Sequence, residues 1–253
     1  MPELRPPYAP IRLAKKLEVG AEVILDAGQS KSLRFREINE KEAFTLRDAD
    51  GVFFRASVIK ASAERVQATI YERMPASPES DARITLVCAV LARQRMLTVA
   101  QKATELGVAR IVPVFSAHSV GPAGLAHEKA HAWPGQTLRA ARQCRRASVP
   151  ELHPPMPIER AFAEPFWLEA TRRYTLDDRA AATPDLWPTR EPGKPVEVVL
   201  AVGPEGGWSD AERALLQRQG ARELRLGGRV LRAETAVLVG LTVIQHAIGD
   251  LSA

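Results

Sequence analysis

The stretch "VGPEGGWSDAE", residues 202–212, joins a strand-like segment to the start of a helix. The preceding residues 195–201, "PVEVVLA", are apolar and rich in valine, which is typical of a buried strand. Ser209 is followed three residues later by Glu212, the spacing of a capping box that begins a helix. The turn between strand and helix holds three glycines, which either allow unusual backbone angles or leave room for another group beside the backbone. A tight turn alone would also explain "PEGG", so the neighbouring sequence has to decide between these two interpretations.

A second glycine-bearing loop follows in "LRLGGRVLRAETA", residues 224–236. A strand-like run ends there at a Gly-Gly pair, and the loop carries Arg229, Arg232 and Glu234 into the last helix. Two such loops at the carboxyl ends of successive parallel strands form the crevice in which open α/β sheets bind ligands. Neither a P-loop pattern nor a dinucleotide-binding glycine pattern is present. The two loops therefore predict a cavity whose backbone can approach a flat ligand such as adenine.

The composition limits the classes of protein to consider. The 253 residues suffice for two domains, and 45% hydrophobic with 26% charged residues is ordinary for a globular protein. A net charge of +5, carried mainly by arginine, fits a polyanionic partner, although a GC-rich genome would also produce such a composition. Two cysteines and five histidines show no metal-ligand spacing, and no apolar run is long enough to span a membrane. We expect a cytoplasmic protein without a metal site or a membrane partner.

The predicted pattern of strands and helices changes once along the chain. Residues 1–73 contain short strand-like runs without a long helical period, which predicts a small β-barrel or another β-rich domain. Residues 74–82 are polar and rich in proline and serine, as in a linker. Residues 83–253 alternate buried-type strands with helices, which predicts an α/β domain with a parallel sheet. Within it we assign residues 164–170, "EPFWLEA", to a strand and residues 233–249 to a final helix.

The two glycine loops resemble those of the bacterial 16S ribosomal RNA uracil-N3 methyltransferases of the SPOUT superfamily. The GPEGG loop of that family is matched at residues 203–207, and its LG-x-x-[IV]-L-R-x-E-T-A pattern is matched at residues 226–236. Upstream, "QKATELGVARIVPVFS" (101–116) and "RAARQCRRASVPELHPP" (139–155) are similar to two further segments of the family. The resemblance covers residues 83–253.

The resemblance implies a fold, a cofactor and partners. The second domain would be a SPOUT methyltransferase domain whose C-terminal part forms a trefoil knot, and residues 1–73 would be a PUA-like RNA-binding barrel. The protein would be a homodimer, with an interface that includes the helix at residues 237–248, and would act on 16S ribosomal RNA of the small subunit. S-adenosylmethionine would lie in the knot, held mainly by main chain. The residues predicted to bind it are Val202, Gly203, Gly206, Gly207, Leu226, Gly227, Val230, Leu231 and Ala236.

Methylation at N3 of uridine requires loss of the N3 proton, so a base or an anion-stabilising cation is needed near the methyl group. Arg232 could stabilise negative charge on O2 or O4, or contact a phosphate. Glu205 and Glu234 could relay the proton. Equally, Glu234 could cap the positive end of the last helix, and Glu205 could be a turn residue.

Candidate RNA-binding residues lie in both predicted domains: Arg12, Arg36, Gln143, Arg145 and Arg146. The arginines along residues 139–146 could instead form an ordinary solvated helix face. The N-terminal part departs from the family pattern, because Ser30 or Lys31 stands where histidine is usual and Glu40-Lys41 replaces Gly-Asp. Two other functions therefore remain open: an RNA-binding homologue that has lost catalysis, and an enzyme that uses the glycine loops for another small molecule.

Overall fold

The computed structural model describes residues 5–62, 64–92, 94–180, 187 and 196–251. The chain forms two compact units. Among the described residues, the N-terminal unit comprises those up to Glu79 together with Leu138–Val149, and the α/β unit comprises those of Ser80–Thr137 together with those from Pro150 onward. The sequence did not indicate that residues 138–149 would pack with the first unit. The interpretation of residues 83–253 as one continuous domain therefore needs correction at this segment.

The N-terminal unit is built on a five-stranded sheet in the order β1-β3-β4-β5-β2. Its strands are β1 (Ile11–Arg12), β2 (Glu22–Leu25), β3 (Ala43–Arg47), β4 (Phe53–Ala61) and β5 (Val66–Arg73). β1 and β3 pair in parallel, and the remaining pairs are antiparallel. Alternate apolar side chains of these strands form the core of the unit, as the period of two predicts.

One helix of this unit was missed from the sequence. Helix α1 (Ala27–Phe35) follows β2, where we expected only short strands. Asp26 accepts a hydrogen bond from the backbone N–H of Gln29, and the Gln29 side chain accepts one from the backbone N–H of Asp26. This capping box, readable as Asp-x-x-Gln, marks the start of the helix. Its weak amphipathic pattern explains why the helical period was not recognised.

The α/β unit contains a seven-stranded sheet in the order β12-β10-β11-β6-β7-β8, with β9 pairing to β7. Its strands are β6 (Ala82–Ala89), β7 (Arg110–Phe115), β8 (Glu151–Leu152), β9 (Met156–Pro157), β10 (Arg172–Leu176), β11 (Val196–Val202) and β12 (Arg222–Leu224). Its helices are α2 (Gln94–Glu105), α3 (Trp133–Gln143), α4 (Ile158–Ala161), α5 (Pro165–Leu168), α6 (Asp210–Arg218) and α7 (Ala233–Ile248), of which α3 continues into the N-terminal unit. All pairs in this sheet are parallel, which confirms the predicted α/β class.

The assignment of residues 164–170 to a strand was wrong. Pro165 occupies the first turn of the short helix α5, and Phe166 and Trp167 are buried in the core beneath it. Proline suits the first position of a helix because its φ angle is already helical and its missing N–H is not needed there. The strand begins only at Arg172, after the helix.

The last helix lies where the sequence predicts it, and one of its faces is buried. Val237, Leu241, Ile244 and Ile248 all lie in the core, and α7 packs against α2 and β11. These four residues pack inside the protomer, so the predicted subunit interface on this helix would have to use another face. Val239, on another face of α7, is exposed. Within the described part of the chain, no helix combines the length and apolar character needed to cross a membrane.

Candidate ligand cavity

The carboxyl ends of β10, β11 and β12 open into one cavity of about 500 Å³. Because the three strands are parallel neighbours, the loops that follow them meet at the same edge of the sheet. The cavity walls come from residues 176–179, 202–208, 224, 226–227, 229–233 and 236, with Arg95 and Arg213 completing them. The lining includes every residue predicted to bind the cofactor: Val202, Gly203, Gly206, Gly207, Leu226, Gly227, Val230, Leu231 and Ala236.

The first two glycines of the loop are required by protein neighbours. A β-carbon on Gly203 would lie 3.2 Å from both the backbone nitrogen and the indole ring of Trp208. A β-carbon on Gly206 would lie 2.9 Å from the β-carbon of His118. These protein contacts are sufficient reasons for both glycines, and the approach of a ligand to this backbone stays a prediction. Gly203 makes room for Trp208, and Gly206 makes room for His118.

Gly207 and Gly227 are required by backbone conformation. Gly207 has a φ of +70° and donates its backbone N–H to the carbonyl of Pro204 at 2.8 Å, which closes the turn. Gly227 has a φ of +92°, and no atom lies within 4 Å of the position its β-carbon would take. Both conformations lie in the left-handed region that glycine adopts without penalty. The two loops are thus shaped by four glycines with two different physical reasons.

The N-terminal end of α6 is tied to the loop after β7. Ser209 and Glu212 form the predicted capping box, and the second carboxylate oxygen of Glu212 accepts a hydrogen bond from the backbone N–H of Ala117 at 2.8 Å. The ring Nδ1 of the adjacent His118 lies 3.1 Å from the carbonyl of Gly207. These bonds hold the glycine loop from outside the cavity and leave its inner side clear.

Arg95, at the start of α2, is a cavity residue that the sequence analysis missed. Its Nη1 atom lies 2.5 Å from a carboxylate oxygen of Glu205, and its Nε atom lies 3.8 Å from Oε2 of Glu234. The signal that could have found it is the strand order: β6 is the parallel neighbour of β11, so the segment after β6 opens at the same edge of the sheet. That order is not readable from a single sequence.

The three predicted catalytic residues occupy different positions. Arg232 lines the cavity as the exposed residue preceding α7, and it forms no ion pair within the described residues. Glu205 also lines the cavity. Glu234 lies in the first turn of α7 outside the cavity lining, where its carboxylate favours the positive end of the helix. Its Oε2 atom is buried and accepts no hydrogen bond from the described residues.

The electrostatics of Glu205 bear on its proposed role in proton transfer. Burial alone would raise the pKa of Glu205, but hydrogen bonds from its own backbone N–H, from Arg95 and from the backbone of Ala92 outweigh burial and lower it. A carboxylate with a lowered pKa accepts protons weakly at neutral pH. Glu205 is therefore better suited to act as a fixed negative charge than as the base.

Two of the predicted RNA-binding arginines are buried in the N-terminal unit. Arg36 is 4% exposed and donates hydrogen bonds to the carbonyls of Pro7, Ala9 and Ala147. Burial lowers its pKa to about 10, with a smaller contribution from Arg146, while Glu79 acts in the opposite direction. These bonds occupy the Arg36 guanidinium inside the protein. We therefore withdraw Arg36 as an RNA contact.

Arg146 is the second of these, at 8% exposure. Its Nη2 atom lies 2.8 Å from Oε2 of Glu79, and it also donates to the hydroxyl of Ser148. Glu79 in turn accepts the backbone N–H groups of Ala147 and Ser148, at 2.8 and 2.7 Å. Arg146 therefore fastens residues 138–149 within the unit, a structural role that the sequence did not indicate.

The remaining RNA-binding candidates, Arg12, Gln143 and Arg145, are exposed on the N-terminal unit. The Arg145 guanidinium lies 3.5 Å from the carboxylate of Glu72, and both side chains are well exposed. A weak surface pair of this kind is easily replaced by a phosphate contact. These three residues stay candidates for RNA binding.

The comparisons with known proteins agree with this architecture. A family model of the RNA methyltransferase domain matches residues 78–245. The chain is 29% identical over 227 residues to ribosomal RNA small subunit methyltransferase E of Buchnera aphidicola, covering 88% of this chain and 87% of the relative. It is 27% identical over 233 residues to the protein of the same name from Aquifex aeolicus, covering 88% and 94%.

Solved structures give the same result. The crystal structure of a ribosomal RNA small subunit methyltransferase E from Neisseria gonorrhoeae, bound to S-adenosylmethionine, aligns with a TM-score of 0.66 and 30% identity over 97% of this chain and 100% of that one. A methyltransferase from Legionella pneumophila, in complex with the same cofactor, aligns with a TM-score of 0.66 and 31% identity over 95% and 98%. With the domain model and these near-full-length relatives in agreement, the chain belongs to the RNA methyltransferase family that includes the ribosomal RNA small subunit methyltransferase E proteins.

Proposed function

We propose that this protein transfers a methyl group from S-adenosylmethionine to the ribosomal RNA of the small subunit, and that the acceptor is N3 of a uridine in 16S ribosomal RNA. The observation that carries the proposal is the cavity of about 500 Å³ formed by the two glycine loops. Relatives of about the same length hold S-adenosylmethionine in their solved structures. The choice of uridine N3 rests on the resemblance of the two loops to the uracil-N3 methyltransferases.

The chemistry of the cavity suits this cofactor. Its volume lies within the roughly 300–1,000 Å³ typical of small-molecule sites. Apolar side chains and exposed backbone provide surfaces for a flat base such as adenine. The apolar side chains that line the cavity for this contact are those of Leu176, Leu224, Leu226, Leu231 and Ala236. Asp177, Asp178 and Glu205 supply carboxylates for hydroxyl groups and for a positive centre. When bound, S-adenosylmethionine would supply an electrophilic methyl group on a positively charged sulfur.

The residues of this chain then have distinct tasks. The N–H bond at N3 must break, and its electron pair must remain on the uracil ring until it forms the new N–C bond. Arg232 is exposed at the cavity and free of ion pairs among the described residues, so its guanidinium can stabilise the negative charge spread over O2 and O4. Because the pKa of Glu205 is lowered and Glu234 lies outside the cavity lining, we assign the departing proton to water at the cavity mouth.

Three structural features belong to the same proposal. The C-terminal strands and helix would thread as a trefoil knot, the N-terminal unit would be a PUA-like RNA-binding domain, and the active protein would be a homodimer. The interface would use the exposed part of α7 around Val239 together with Val230, which is 82% exposed on the second glycine loop. Sedimentation of active protein as a monomer at nanomolar concentration would contradict the dimer.

The experiment combines binding and chemistry. Calorimetry should detect one S-adenosylmethionine site per chain, and single-turnover incubation with small ribosomal subunits lacking the modification should yield N3-methyluridine, detected by mass spectrometry of nucleosides. The variant Arg160→Ala is a suitable control, because Arg160 is an exposed arginine outside the cavity lining. Wild-type protein that binds cofactor and subunits but methylates no nucleotide would support a non-catalytic RNA-binding protein instead. A methylated base other than uridine would contradict only the choice of acceptor.

A further inference from the structure

We propose that Arg95 is a positioning residue that holds the two glycine loops of the cavity at a fixed separation through Glu205 and Glu234. The inference rests on the proposed function, because it assigns Arg95 to the cofactor cavity. Arg95 is not part of the sequence motifs on which that function was predicted.

The contacts of Arg95 join three segments of the chain. Arg95 stands at the start of α2, directly after β6. Glu205 belongs to the glycine loop after β11, and Glu234 belongs to the first turn of α7, immediately after the second glycine loop. Among the residues that the structure describes, Arg95 alone forms ion pairs with carboxylates of both segments. Its guanidinium is therefore the electrostatic link between them.

Burial makes the link to Glu234 significant. The Arg95 side chain is 41% exposed, and an ordinary surface pair at that exposure contributes little. Glu234 differs, because its Oε2 atom is buried without a hydrogen-bond donor among the described residues. A buried carboxylate oxygen needs compensation. Arg95, at 3.8 Å, and the positive end of α7 provide it.

The geometry also explains why arginine is needed. One planar guanidinium presents Nη1 to Glu205 and Nε to Glu234, so two different nitrogens of the same rigid group face the two carboxylates. A lysine ammonium is a compact charge on a flexible stem and cannot fix two carboxylates in that arrangement. Arg95→Lys therefore separates the two properties: it keeps the positive charge and loses the rigid link.

The experiment compares Arg95→Ala and Arg95→Lys with a matched control, Lys102→Ala. Lys102 lies on the same helix, is 42% exposed and pairs with the carboxylate of Glu105, outside the cavity. We expect Arg95→Ala to weaken S-adenosylmethionine binding about tenfold, within the range found for residues of one ion-pair network. Arg95→Lys should recover only part of the loss, and Lys102→Ala should bind as the wild type does. The double variant Arg95→Ala, Glu234→Gln should lose less affinity for S-adenosylmethionine than the product of the two single-variant fold losses, because both substitutions break the same contact.

Two further readouts distinguish positioning from a general loss of structure. In carbon-13 NMR of labelled glutamate, the Glu205 carboxyl should titrate at higher pH in Arg95→Ala than in the wild type, and should be unchanged in Lys102→Ala. In single-turnover assays at saturating cofactor, Arg95→Ala should also lower the methylation rate, because the loops then hold the cofactor less firmly. Unchanged cofactor affinity and an unchanged Glu205 titration in Arg95→Ala would overturn the inference. Wild-type protein that neither binds cofactor nor methylates RNA would refute the proposed function, while the carboxyl titration still decides the role of Arg95.

Discussion

Replacing Gly203 by alanine tests whether the first glycine loop is shaped by Trp208. The new methyl group would lie 3.2 Å from the backbone nitrogen of Trp208, 3.2 Å from Cδ2 and 3.3 Å from Cε2 of its ring. Trp208 is 3% exposed, and its Nε1 donates a hydrogen bond to the hydroxyl of Thr175 at 3.1 Å, so the ring cannot swing away freely. Forcing an extra methyl group into such packing costs about 1–3 kcal/mol. We expect Gly203→Ala to lower the free energy of unfolding by that amount.

Gly228→Ala provides the matched control. Gly228 belongs to the second glycine loop, its φ is not in the left-handed region, and no atom lies within 4 Å of its β-carbon position. Alanine should therefore change stability there by no more than about 0.5 kcal/mol. Urea unfolding of the cofactor-free proteins, followed by tryptophan fluorescence, measures both free energies, provided that the slope with denaturant is the same for each protein. If Gly203→Ala and Gly228→Ala had equal unfolding free energies, the packing argument would be wrong, and the ligand would again be the reason for Gly203.

Four other variants test the remaining assignments. Arg232→Ala should keep its affinity for S-adenosylmethionine, but its single-turnover methylation rate should fall roughly a hundredfold and recover in part at higher pH. An alanine variant as fast as the wild type would exclude Arg232 from anion stabilisation. Arg145→Glu should weaken RNA binding, and the slope of log affinity against log salt concentration should become shallower by about one unit. Arg36→Met should lower the free energy of unfolding in urea by about 2–3 kcal/mol, because it removes buried hydrogen-bond donors. Glu79→Gln should destabilise the protein by about 3–5 kcal/mol, since it breaks a buried pair. Burial alone would raise the pKa of Glu79, but Arg146 and the hydrogen bonds from Ser148 lower it below 4.5. The contribution of Glu79 to the free energy of unfolding is therefore present above pH 4.5 and is lost as the pH falls through the lowered pKa. Unfolding free energies of wild type and Glu79→Gln that stay equally far apart down to pH 3 would contradict this.

The sequence predicted most of what depends on local pattern. The valine-rich strand before residue 203, the Ser209 capping box and the final helix each follow from local sequence pattern, and the structure contains all three. The strand assigned to residues 164–170 failed because a short apolar run fits a strand or a buried helix equally well. In that case Pro165 was the informative residue, and its preference for the first helical turn was overlooked.

Charge was harder to interpret than hydrophobicity. Arg36, Arg145 and Arg146 look alike in the sequence, yet Arg36 and Arg146 are buried by partners far away along the chain, Ala147 and Glu79 respectively. A net positive charge counts all arginines equally, including those that serve as internal hydrogen-bond donors. The same limit hid Arg95, whose partners lie more than one hundred residues further on. Residues of this kind become recognisable only when the strand order is known.

The packing of the first glycine loop bears on how the cavity binds its ligand. If glycine at 203 and 206 served only to admit a ligand, the loop without ligand would have little to define its shape. Instead, Gly203 lies against Trp208, Gly206 lies against His118, and Gly207 closes a hydrogen-bonded turn with Pro204. The loop is therefore held from its outer side by contacts between protein atoms, none of which needs a ligand. A preformed wall requires less ordering on binding, so more of the interaction free energy remains as affinity. On this reasoning Gly203→Ala should weaken S-adenosylmethionine binding indirectly, by displacing the wall of the cavity. Gly228→Ala should leave the affinity measured by calorimetry unchanged. Equal affinities in both variants would show that the loop reaches its binding shape only with the ligand present.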